Sequence, residues 1–341
     1  MGGIIHGKNL ALEFVRVTEA AAIACSAWMG KGDKNKADGA AVDAMRERFN
    51  YVGFKGTVVI GEGDKDEAPL LFIGEKIGTG WKSSDRVVPE MDIAVDPLEC
   101  TSNLANGKND SISVLAAGPK GTLLHAPGTY MEKLIVGPKA KGCINIKASV
   151  AENLKNISDA LGKPIHDVLV CILDRPRHEQ LIKEVRQAGA KIKLIDNGDV
   201  GGGIAAALPN SGIDVMWGIG GAPEGVITAA ALKCTGGDMQ AILRPHNKEF
   251  KQQALNMGFT DLDKIFQLDD LAKGNDLMFA ATGVTDGPFL RGVVATDWGY
   301  LTHSIVMRAK SGTIRYLETH HHESIPGRDE NNINNGEKEY D

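Results

Sequence analysis

One stretch of this chain carries much of the information about its fold, and it reads Met91-Asp92-Ile93-Ala94-Val95-Asp96-Pro97-Leu98-Glu99-Cys100-Thr101. Its apolar first half predicts a buried strand. Proline cannot donate a hydrogen bond to a neighbouring strand, so Pro97 predicts a turn directly after Asp96. The strand therefore delivers Asp96, Glu99 and Thr101 into one small volume.

Two carboxylates that share such a volume repel each other. A bound hard cation or a raised pKa relieves the repulsion. The simpler alternative is that Asp96 and Glu99 cap a following helix. This stretch alone leaves both interpretations open.

A second strand-end acid follows the apolar run Thr57 to Ile60, in Gly61-Glu62-Gly63. Flanking glycines allow Glu62 an unusual backbone conformation close to a ligand. The next acids, in Asp64-Lys65-Asp66-Glu67, are equally well explained as a solvated turn. Upstream, Asp38 begins a predicted helix, where it is either an ordinary N-cap or a further ligand.

A third strand-end acid lies in the stretch from Asp214 to Gly225, where the strand Val215 to Ile219 runs into glycines and a predicted helix. The loop resembles a dinucleotide-binding fingerprint, but Pro223 stands where the third glycine belongs, which argues against NAD. The amides of Gly220 and Gly221 suit a phosphate oxygen or a sugar hydroxyl, with Glu224 on a metal.

The wider pattern predicts an α/β fold in two halves and a tail. Residues 1–145 combine amphipathic helices with short β-rich runs, which predicts a mixed or antiparallel sheet. Residues 146–319 alternate strands and helices, which predicts a mostly parallel sheet. The last strands of this half close the fold, and the sequence does not show which sheet they join. Residues 320–341 are predicted to be a disordered tail that begins with the weakly chelating His320-His321-His322. The first half includes predicted helices at Leu10 to Met29 and Asp38 to Phe49, and predicted strands at Leu70 to Ile73 and Thr122 to Leu124.

The composition narrows the class of protein. The 341 residues are 43% hydrophobic and carry a net charge of -6, which argues against a nucleic-acid binder. The five cysteines are scattered and odd in number, which is typical of reduced intracellular thiols. No run approaches a membrane span or a signal core, so we expect a cytoplasmic protein without a membrane partner.

The ordered motifs resemble the class II fructose-1,6-bisphosphatases of bacteria, and especially the cyanobacterial enzymes that act on both fructose-1,6- and sedoheptulose-1,7-bisphosphate. The resemblance runs from about Leu12 to Thr319. It rests on Gly32-Asp33-Lys34-Asn35 with Ala37-Asp38, Val59 to Gly63, Ile93 to Thr101, Tyr130-Met131-Glu132-Lys133-Leu134, Asp174 to His178, Gly198-Asp199-Val200, and Gly218 to Gly225.

The resemblance implies a layered αβαβα sugar-phosphatase fold and a homo-oligomer, either a dimer or a tetramer. It implies hydrolysis of the 1-phosphate of D-fructose 1,6-bisphosphate, and of sedoheptulose 1,7-bisphosphate as a second substrate, with Mg²⁺ or Mn²⁺. The implied metal ligands are Asp38 and Glu62 for one cation, Asp96 and Glu99 for a second, and Glu224. The implied catalytic residues are Thr101, Glu62 and Asp96, with Thr101 positioning the attacking water. The implied substrate contacts are Glu99, Cys100, Thr101, Tyr130, Arg175, Pro176, Arg177, Asn197, Gly198, Asp199 and Gly221.

The arginine turn suits the remote phosphate of a bisphosphate, because guanidinium groups bind phosphate through several hydrogen bonds. The alternative is that Arg175 and Arg177 are solvated residues at the start of a helix. His178 is expected to contact phosphate rather than metal. Two positions depart from the family pattern: Cys100 stands where a glycine is usual, and Asn197 replaces an aspartate.

Three other functions fit the same residues. The same pattern of metal ligands also fits inositol-monophosphatase-like and nucleotide phosphatases. A monophosphate substrate has no remote phosphate, so such an enzyme does not need the arginine turn. A sugar-phosphate-binding paralogue, weakened in catalysis through Cys100 or Asn197, is the non-enzymatic alternative.

Overall fold

The computed structural model describes residues 10–63, 70–82 and 88–322. The acidic turn Asp64 to Glu67, the amino-terminal residues before Leu10 and the tail after His322 lie outside the described residues. The described helices are α1 (Leu10–Ser26), α2 (Lys34–Phe49), α3 (Thr101–Ala105), α4 (Val150–Leu161), α5 (Glu179–Gln187), α6 (Asp199–Ala207), α7 (Ala222–Thr235), α8 (Lys248–Asn256) and α9 (Leu268–Leu271). None of these helices is long and apolar enough to cross a membrane.

The described strands form two sheets. They are β1 (Lys55–Ile60), β2 (Lys76–Ile77), β3 (Glu90–Glu99), β4 (Ile112–Pro119), β5 (Tyr130–Val136), β6 (Leu169–Leu173), β7 (Lys191–Ile195), β8 (Val215–Gly221), β9 (Asp238–Leu243), β10 (Phe266–Gln267), β11 (Met278–Gly283), β12 (Val294–Thr296), β13 (Gly299–Arg308) and β14 (Thr313–His322). The first sheet has the order β12-β13-β11-β4-β3-β1-β2, with β14 on β13. The second sheet has the order β10-β9-β5-β8-β6-β7.

Both sheets are mixed. In the first sheet β1 runs parallel to β3, whereas β4, β11 and β13 pair antiparallel. In the second sheet the predicted βα units give a parallel set of β7, β6 and β8. Strands β5, β9 and β10 complete that sheet in antiparallel pairs.

Three apolar cores join five layers in the order helix, sheet, helix, sheet, helix, which confirms the layered α/β fold. Helices α1 and α2 pack on one face of the first sheet, and α6 and α7 fill the space between the sheets. Helices α4 and α5 cover the outer face of the second sheet. Successive residues of one strand belong to different cores, because their side chains point to opposite faces of the sheet. Ile93 faces α1 and α2, while Ala94 faces the layer between the sheets.

The sheets do not follow the linear order of the chain. Strand β5 comes from the first half of the sequence but lies in the second sheet, between β8 and β9. The closing strands β11 to β14 return to the first sheet. Strand β14 extends to His322, so the three histidines that were assigned to the tail pair with β13 instead.

Several local predictions differ from the structure. Residues 70–73 form no strand, and Leu71 has a φ of +54°. Residues 122–124 contribute only an isolated bridge between Leu123 and Ala272. Helix α2 begins at Lys34 and is capped by Asp33, whose carboxylate accepts from the Lys36 amide at 3.0 Å. Asp38 therefore lies in the second turn, and the N-cap interpretation of Asp38 was wrong.

Candidate active site

One cavity of about 510 Å³ lies between the two sheets at the ends of their parallel strands. Strands β1 and β3 of the first sheet end there, and so do β6, β7 and β8 of the second. Parallel strands place their carboxyl ends at one edge, where ligands of α/β proteins usually bind. The cavity is lined by Asp38, Glu62, Asp96, Glu99, Cys100, Thr101, Tyr130, Arg175, Arg177, Asn197, Gly198, Asp199, Gly221 and Glu224. Of the candidate residues, Pro176 belongs to the same turn as the two arginines but does not line the cavity.

A bulge in β3 places its two acids on the same cavity. Asp96 is opposite Val114 of β4 and Glu99 is opposite Ile112, so three steps along β3 match two along β4. In a regular strand, residues three apart point to opposite faces, and the extra residue of a bulge reverses this. Pro97 therefore lies within a bulged strand that runs on to Glu99, instead of ending the strand as predicted.

The two glycines beside Glu62 allow the backbone path that brings its side chain to the cavity. A Cβ atom on Gly61 would lie 2.0 Å from the Leu71 carbonyl oxygen, so only glycine permits this approach. The Glu62 amide then donates to the same carbonyl at 3.1 Å. Gly63 has a φ of +126°, whereas Glu62 itself has no positive φ. The glycines are thus needed for their own positions, and Glu62 needs no unusual conformation.

Two further glycines make room for acids from the second sheet. A Cβ on Gly220 would lie 1.9 Å from Oδ2 of Asp199, and one on Gly221 would lie 1.7 Å from Oε2 of Glu224. Asp199 is the first residue of α6, and Glu224 lies in the first turn of α7. Glycine at both positions lets these carboxylates fold against the end of β8.

The cavity is also lined by Tyr130, Arg175 and Arg177. Arg177 donates to the Ile219 carbonyl from Nε at 3.0 Å and from Nη2 at 2.8 Å. Its guanidinium carbon lies 4.8 Å from the centre of the Tyr130 ring, within cation–π range. Arg175 donates to the Asn197 side-chain oxygen at 2.7 Å. Both cations are held in place by neutral oxygens, which leaves their charge available to an anion.

His178 does not contact the cavity, and its assignment to phosphate was wrong. The residue is 1% exposed. Its Nδ1 lies 2.8 Å from the Leu173 carbonyl, and its Nε2 accepts from the Ile219 amide at 2.7 Å. Both ring nitrogens are therefore used to fix the backbone that carries Arg177.

Five acids of the cavity have raised pKa values. Burial, followed by the charge of Asp38, raises the pKa of Glu62 to about 7. Burial, followed by the charge of Asp199, raises the pKa of Glu99 to about 8. Burial, followed by the charge of Glu99, raises the pKa of Asp96 well above its usual range. Burial also raises the pKa values of Asp38 and Glu224.

These features fit a divalent cation. The charge of Asp38 contributes to the raised pKa of Glu62, and a bound proton or cation relieves the repulsion between two such carboxylates. Glu99, Asp199 and Glu224 each have a buried oxygen without a hydrogen-bond partner. Within residues 10–63, 70–82 and 88–322, no three His, Cys, Asp or Glu side chains are arranged so that they could hold a metal ion between them. Carboxylate oxygens are the ligands that Mg²⁺ prefers, and Mg²⁺ usually keeps several water or phosphate ligands as well.

Cys100 occupies a backbone conformation that favours glycine. It precedes α3 with a φ of 67° and a ψ of 40°, in the left-handed region. Its sulfur fills the space beside Gly198, where a Cβ would lie 2.8 Å from Sγ. Burial raises the pKa of the Cys100 thiol well above its usual range. The thiol is thus protonated at neutral pH and acts as a packing group.

Sequence analysis missed two polar residues that support this site. Asn103 of α3 accepts a hydrogen bond from the Asn197 side chain at 2.8 Å, which links Arg175 to the first sheet's side of the cavity. Lys133 of β5 is buried below the cavity and pairs with Asp199. A lysine within an apolar strand was a usable signal, because lysine is almost never fully buried without a partner.

Comparison with known proteins gives consistent results. Residues 8–321 match the family described as bacterial fructose-1,6-bisphosphatase, glpX-encoded. The chain is 46% identical over 328 residues to fructose-1,6-bisphosphatase 1 class 2 of Escherichia coli K12, covering 92% of this chain and 96% of that protein. The class 2 enzyme of Shigella flexneri matches with the same identity and coverage. A solved structure of an extragenic suppressor from Pyrococcus furiosus covers 57% of this chain and 68% of its own at 14% identity, and its TM-score of 0.29 supports no conclusion.

Proposed function

This chain belongs to the glpX-encoded family of bacterial fructose-1,6-bisphosphatases, and on that premise we propose that it hydrolyses the 1-phosphate of D-fructose 1,6-bisphosphate. The products are fructose 6-phosphate and phosphate. One observation carries the proposal: six acids, from Asp38 to Glu224, line one cavity together with two arginines. Such a cavity offers acids for a metal-bound reacting phosphate and cations for a remote one.

The acids are the residues that would hold metal. The family is metal-dependent, and we assign Asp38 and Glu62 to one divalent cation, Asp96 and Glu99 to a second, and Glu224 to the same cluster. Mg²⁺ and Mn²⁺ both prefer oxygen ligands. A bound cation would stabilise negative charge on the phosphoryl oxygens and make a bound water more acidic.

Thr101 and Glu62 act on the water that attacks phosphorus. The Thr101 hydroxyl donates to the Leu98 carbonyl at 2.9 Å, so its own oxygen is free to accept a hydrogen bond from that water. This fixes the orientation of the water. We assign Glu62, which lines the same cavity, to take up the proton that this water releases. Asp96 is the third catalytic residue of the proposal and its second carboxylate.

The second sheet supplies the substrate contacts. Arg175 and Arg177 bind the remote phosphate, with the Tyr130 hydroxyl as a further donor. Asn197, Gly198, Asp199 and Gly221 surround the sugar, while Glu99, Cys100 and Thr101 border the reacting phosphate. Pro176 shapes the arginine turn without lining the cavity.

The proposal extends to sedoheptulose 1,7-bisphosphate and to assembly as a dimer or tetramer. The heptulose adds one hydroxyl-bearing carbon, which is small beside a cavity of about 510 Å³. The motif resemblance to the cyanobacterial dual-specificity enzymes supports both statements. Light scattering coupled to size-exclusion chromatography measures the assembly.

A phosphate-release assay tests the function. The purified chain is incubated with Mg²⁺ or Mn²⁺ and with fructose 1,6-bisphosphate, sedoheptulose 1,7-bisphosphate or inositol 1-phosphate. We expect metal-dependent turnover of fructose 1,6-bisphosphate and little of inositol 1-phosphate. Faster turnover of inositol 1-phosphate contradicts the substrate assignment, and binding without phosphate release supports the non-enzymatic paralogue instead.

A further inference from the structure

Lys133 lies at the floor of the cavity, in the middle of β5. It is 1% exposed, and among the described residues it is the one lysine or arginine that is fully buried. Its ammonium group donates to the Gly221 carbonyl at 2.8 Å and forms an ion pair with Oδ2 of Asp199. Since lysine is almost never buried without a partner, this pair explains how the chain tolerates the ammonium group there.

The pair joins the two elements that carry acids into the cavity. Asp199 begins α6, and Gly221 is the residue directly before α7, which carries Glu224. A Cβ on Gly220 would lie 3.2 Å from Nζ of Lys133 and 1.9 Å from the Asp199 carboxylate. Glycine at position 220 therefore lets the ammonium and the carboxylate meet. Lys133 therefore fixes the orientation of the Asp199 side chain relative to the end of β8.

Asp199 is surrounded by like charges. Its charge raises the pKa values of Glu99 and Glu224, and the charge of Lys133 lowers both. Oδ2 of Asp199 forms an ion pair with the Lys133 ammonium group. This ion pair offsets the charge of Asp199. Without the ammonium group, Asp199 would add an unbalanced negative charge to a cavity that must accept phosphate.

We propose that Lys133 is a positioning residue whose ammonium group orients and neutralises the Asp199 carboxylate, so that Asp199 contacts the sugar without repelling its phosphate. This inference rests on the proposed function. Lys133 acts through Asp199 and touches neither the substrate nor the reacting atoms. Its charge favours the anionic substrate over the divalent cation, because like charges oppose each other in a buried site.

Three variants form the test: Lys133→Met, Asp199→Asn, and the double variant that carries both changes. Lys133→Met leaves Asp199 unbalanced, and we expect KM for fructose 1,6-bisphosphate to rise about tenfold or more with a smaller change in kcat. The double variant removes both charges, so its KM should recover toward the wild-type value, since replacing both partners of a pair costs less than removing one.

Cation binding provides a measurement that is independent of turnover. The dissociation constant for Mn²⁺, measured from the electron paramagnetic resonance signal of the free ion, should be unchanged or lower in Lys133→Met and higher in Asp199→Asn. A residue that merely supports the fold would instead weaken Mn²⁺ and substrate binding together. Lys163→Met is the matched control, because it removes an ion pair with Asp214 away from this cavity; its KM and Mn²⁺ binding should equal those of the wild type.

The outcomes separate the inference from the proposed function. A wild-type chain that does not hydrolyse fructose 1,6-bisphosphate overturns the proposed function. With an active wild type, an unchanged KM in Lys133→Met, or losses that add in the double variant, overturn the role of Lys133. If Lys133→Met alone fails to fold, the double variant still decides: a KM near the wild-type value supports neutralisation of Asp199, and a KM at least as high as that of Asp199→Asn contradicts it.

Discussion

The polar residues of the cavity fall into two groups that differ in how their charges are satisfied. We call Asp38, Glu62, Asp96, Glu99 and Glu224 the acidic wall, and Tyr130, Arg175 and Arg177 the basic wall. On the basic wall each arginine already donates to a carbonyl or amide oxygen. On the acidic wall burial raises the pKa values, and Glu99 and Glu224 each have a buried oxygen without a partner.

The difference shows which wall is complete. The basic wall holds its geometry through neutral partners and is ready for an anion. The acidic wall concentrates charge that the protein alone does not balance, which destabilises it until protons or cations bind. Unbalanced buried charge of this kind indicates a functional site, because a protein tolerates such charge where a ligand compensates it.

Among the changes proposed for the two walls, Asp96→Asn on the acidic wall should have the largest effect on activity. We expect kcat for phosphate release to fall by about 1000-fold, because a proposed ligand and its charge are lost. The melting temperature without metal should rise, because one repelling charge is removed. Differential scanning calorimetry with and without Mn²⁺, together with phosphate release, measures both effects.

Asp92→Asn is the matched control on the same strand. Asp92 is buried, but its Oδ2 accepts from the amides of Gly121, Thr122 and Leu123 at 2.7, 2.9 and 3.2 Å. Its replacement should lower the melting temperature and leave kcat nearly unchanged. If Asp96→Asn behaved like Asp92→Asn in both measurements, the contrast between the walls would fail.

Arg177→Ala should weaken the basic wall. Loss of a charge-assisted contact to the remote phosphate should raise KM for fructose 1,6-bisphosphate by about 10- to 100-fold. KM for an aryl phosphate, which has no remote phosphate, should hardly change. Arg186→Ala, an exposed arginine on α5, serves as the control. Equal effects of Arg177→Ala on both substrates would refute the assignment.

The pH dependence of stability tests, without any mutation, whether the acids of the acidic wall bind protons in the folded, metal-free protein. The folded-state pKa values of Glu62 and Glu99 are raised to about 7 and 8, so between pH 5 and these values the folded state binds more protons than the unfolded chain. Unfolding then releases protons, and the free energy of unfolding of the metal-free protein should fall as pH rises through this range.

Added Mn²⁺ should flatten that dependence, because a cation replaces the protons and binds more tightly as the carboxyls ionise. Glu62→Gln should reduce the slope in the metal-free protein. Urea unfolding at pH 5, 6, 7 and 8 provides the measurement. Metal-free stability that increases from pH 5 to 8 would show that these acids are ionised throughout.

Cys100→Gly should have the smallest effect. Glycine adopts the left-handed conformation at position 100 without the cost of about 1 kcal/mol that other residues incur. We expect stability to exceed that of Cys100→Ala, which keeps the strain and loses the sulfur, and kcat/KM to remain close to the wild-type value. A large gain in kcat/KM with glycine would instead show that the thiol obstructs the substrate.

Local patterns in the sequence were sufficient to predict much of this molecule. Apolar runs that lead into acids located β1, β3 and β8 and the acids at their ends. Strand β5 was missed because its lysine interrupts the apolar pattern. Residues 70–73 were predicted to be a strand because the segment is apolar, and Leu71 is indeed buried in the core, but the segment forms no strand. His178 was misassigned because sequence does not show which partners its ring nitrogens have.

By itself the sequence determined the fold class, the family and the residue types of the cavity, because strand periodicity, glycine turns and ordered motifs are local properties of the chain. The tertiary structure alone decided that a bulge in β3 turns Asp96 and Glu99 to one side, that β5 crosses into the second sheet, and that Lys133 meets Asp199. These depend on pairing between distant segments and on burial, and both the raised pKa values and the internal ion pair follow from that burial.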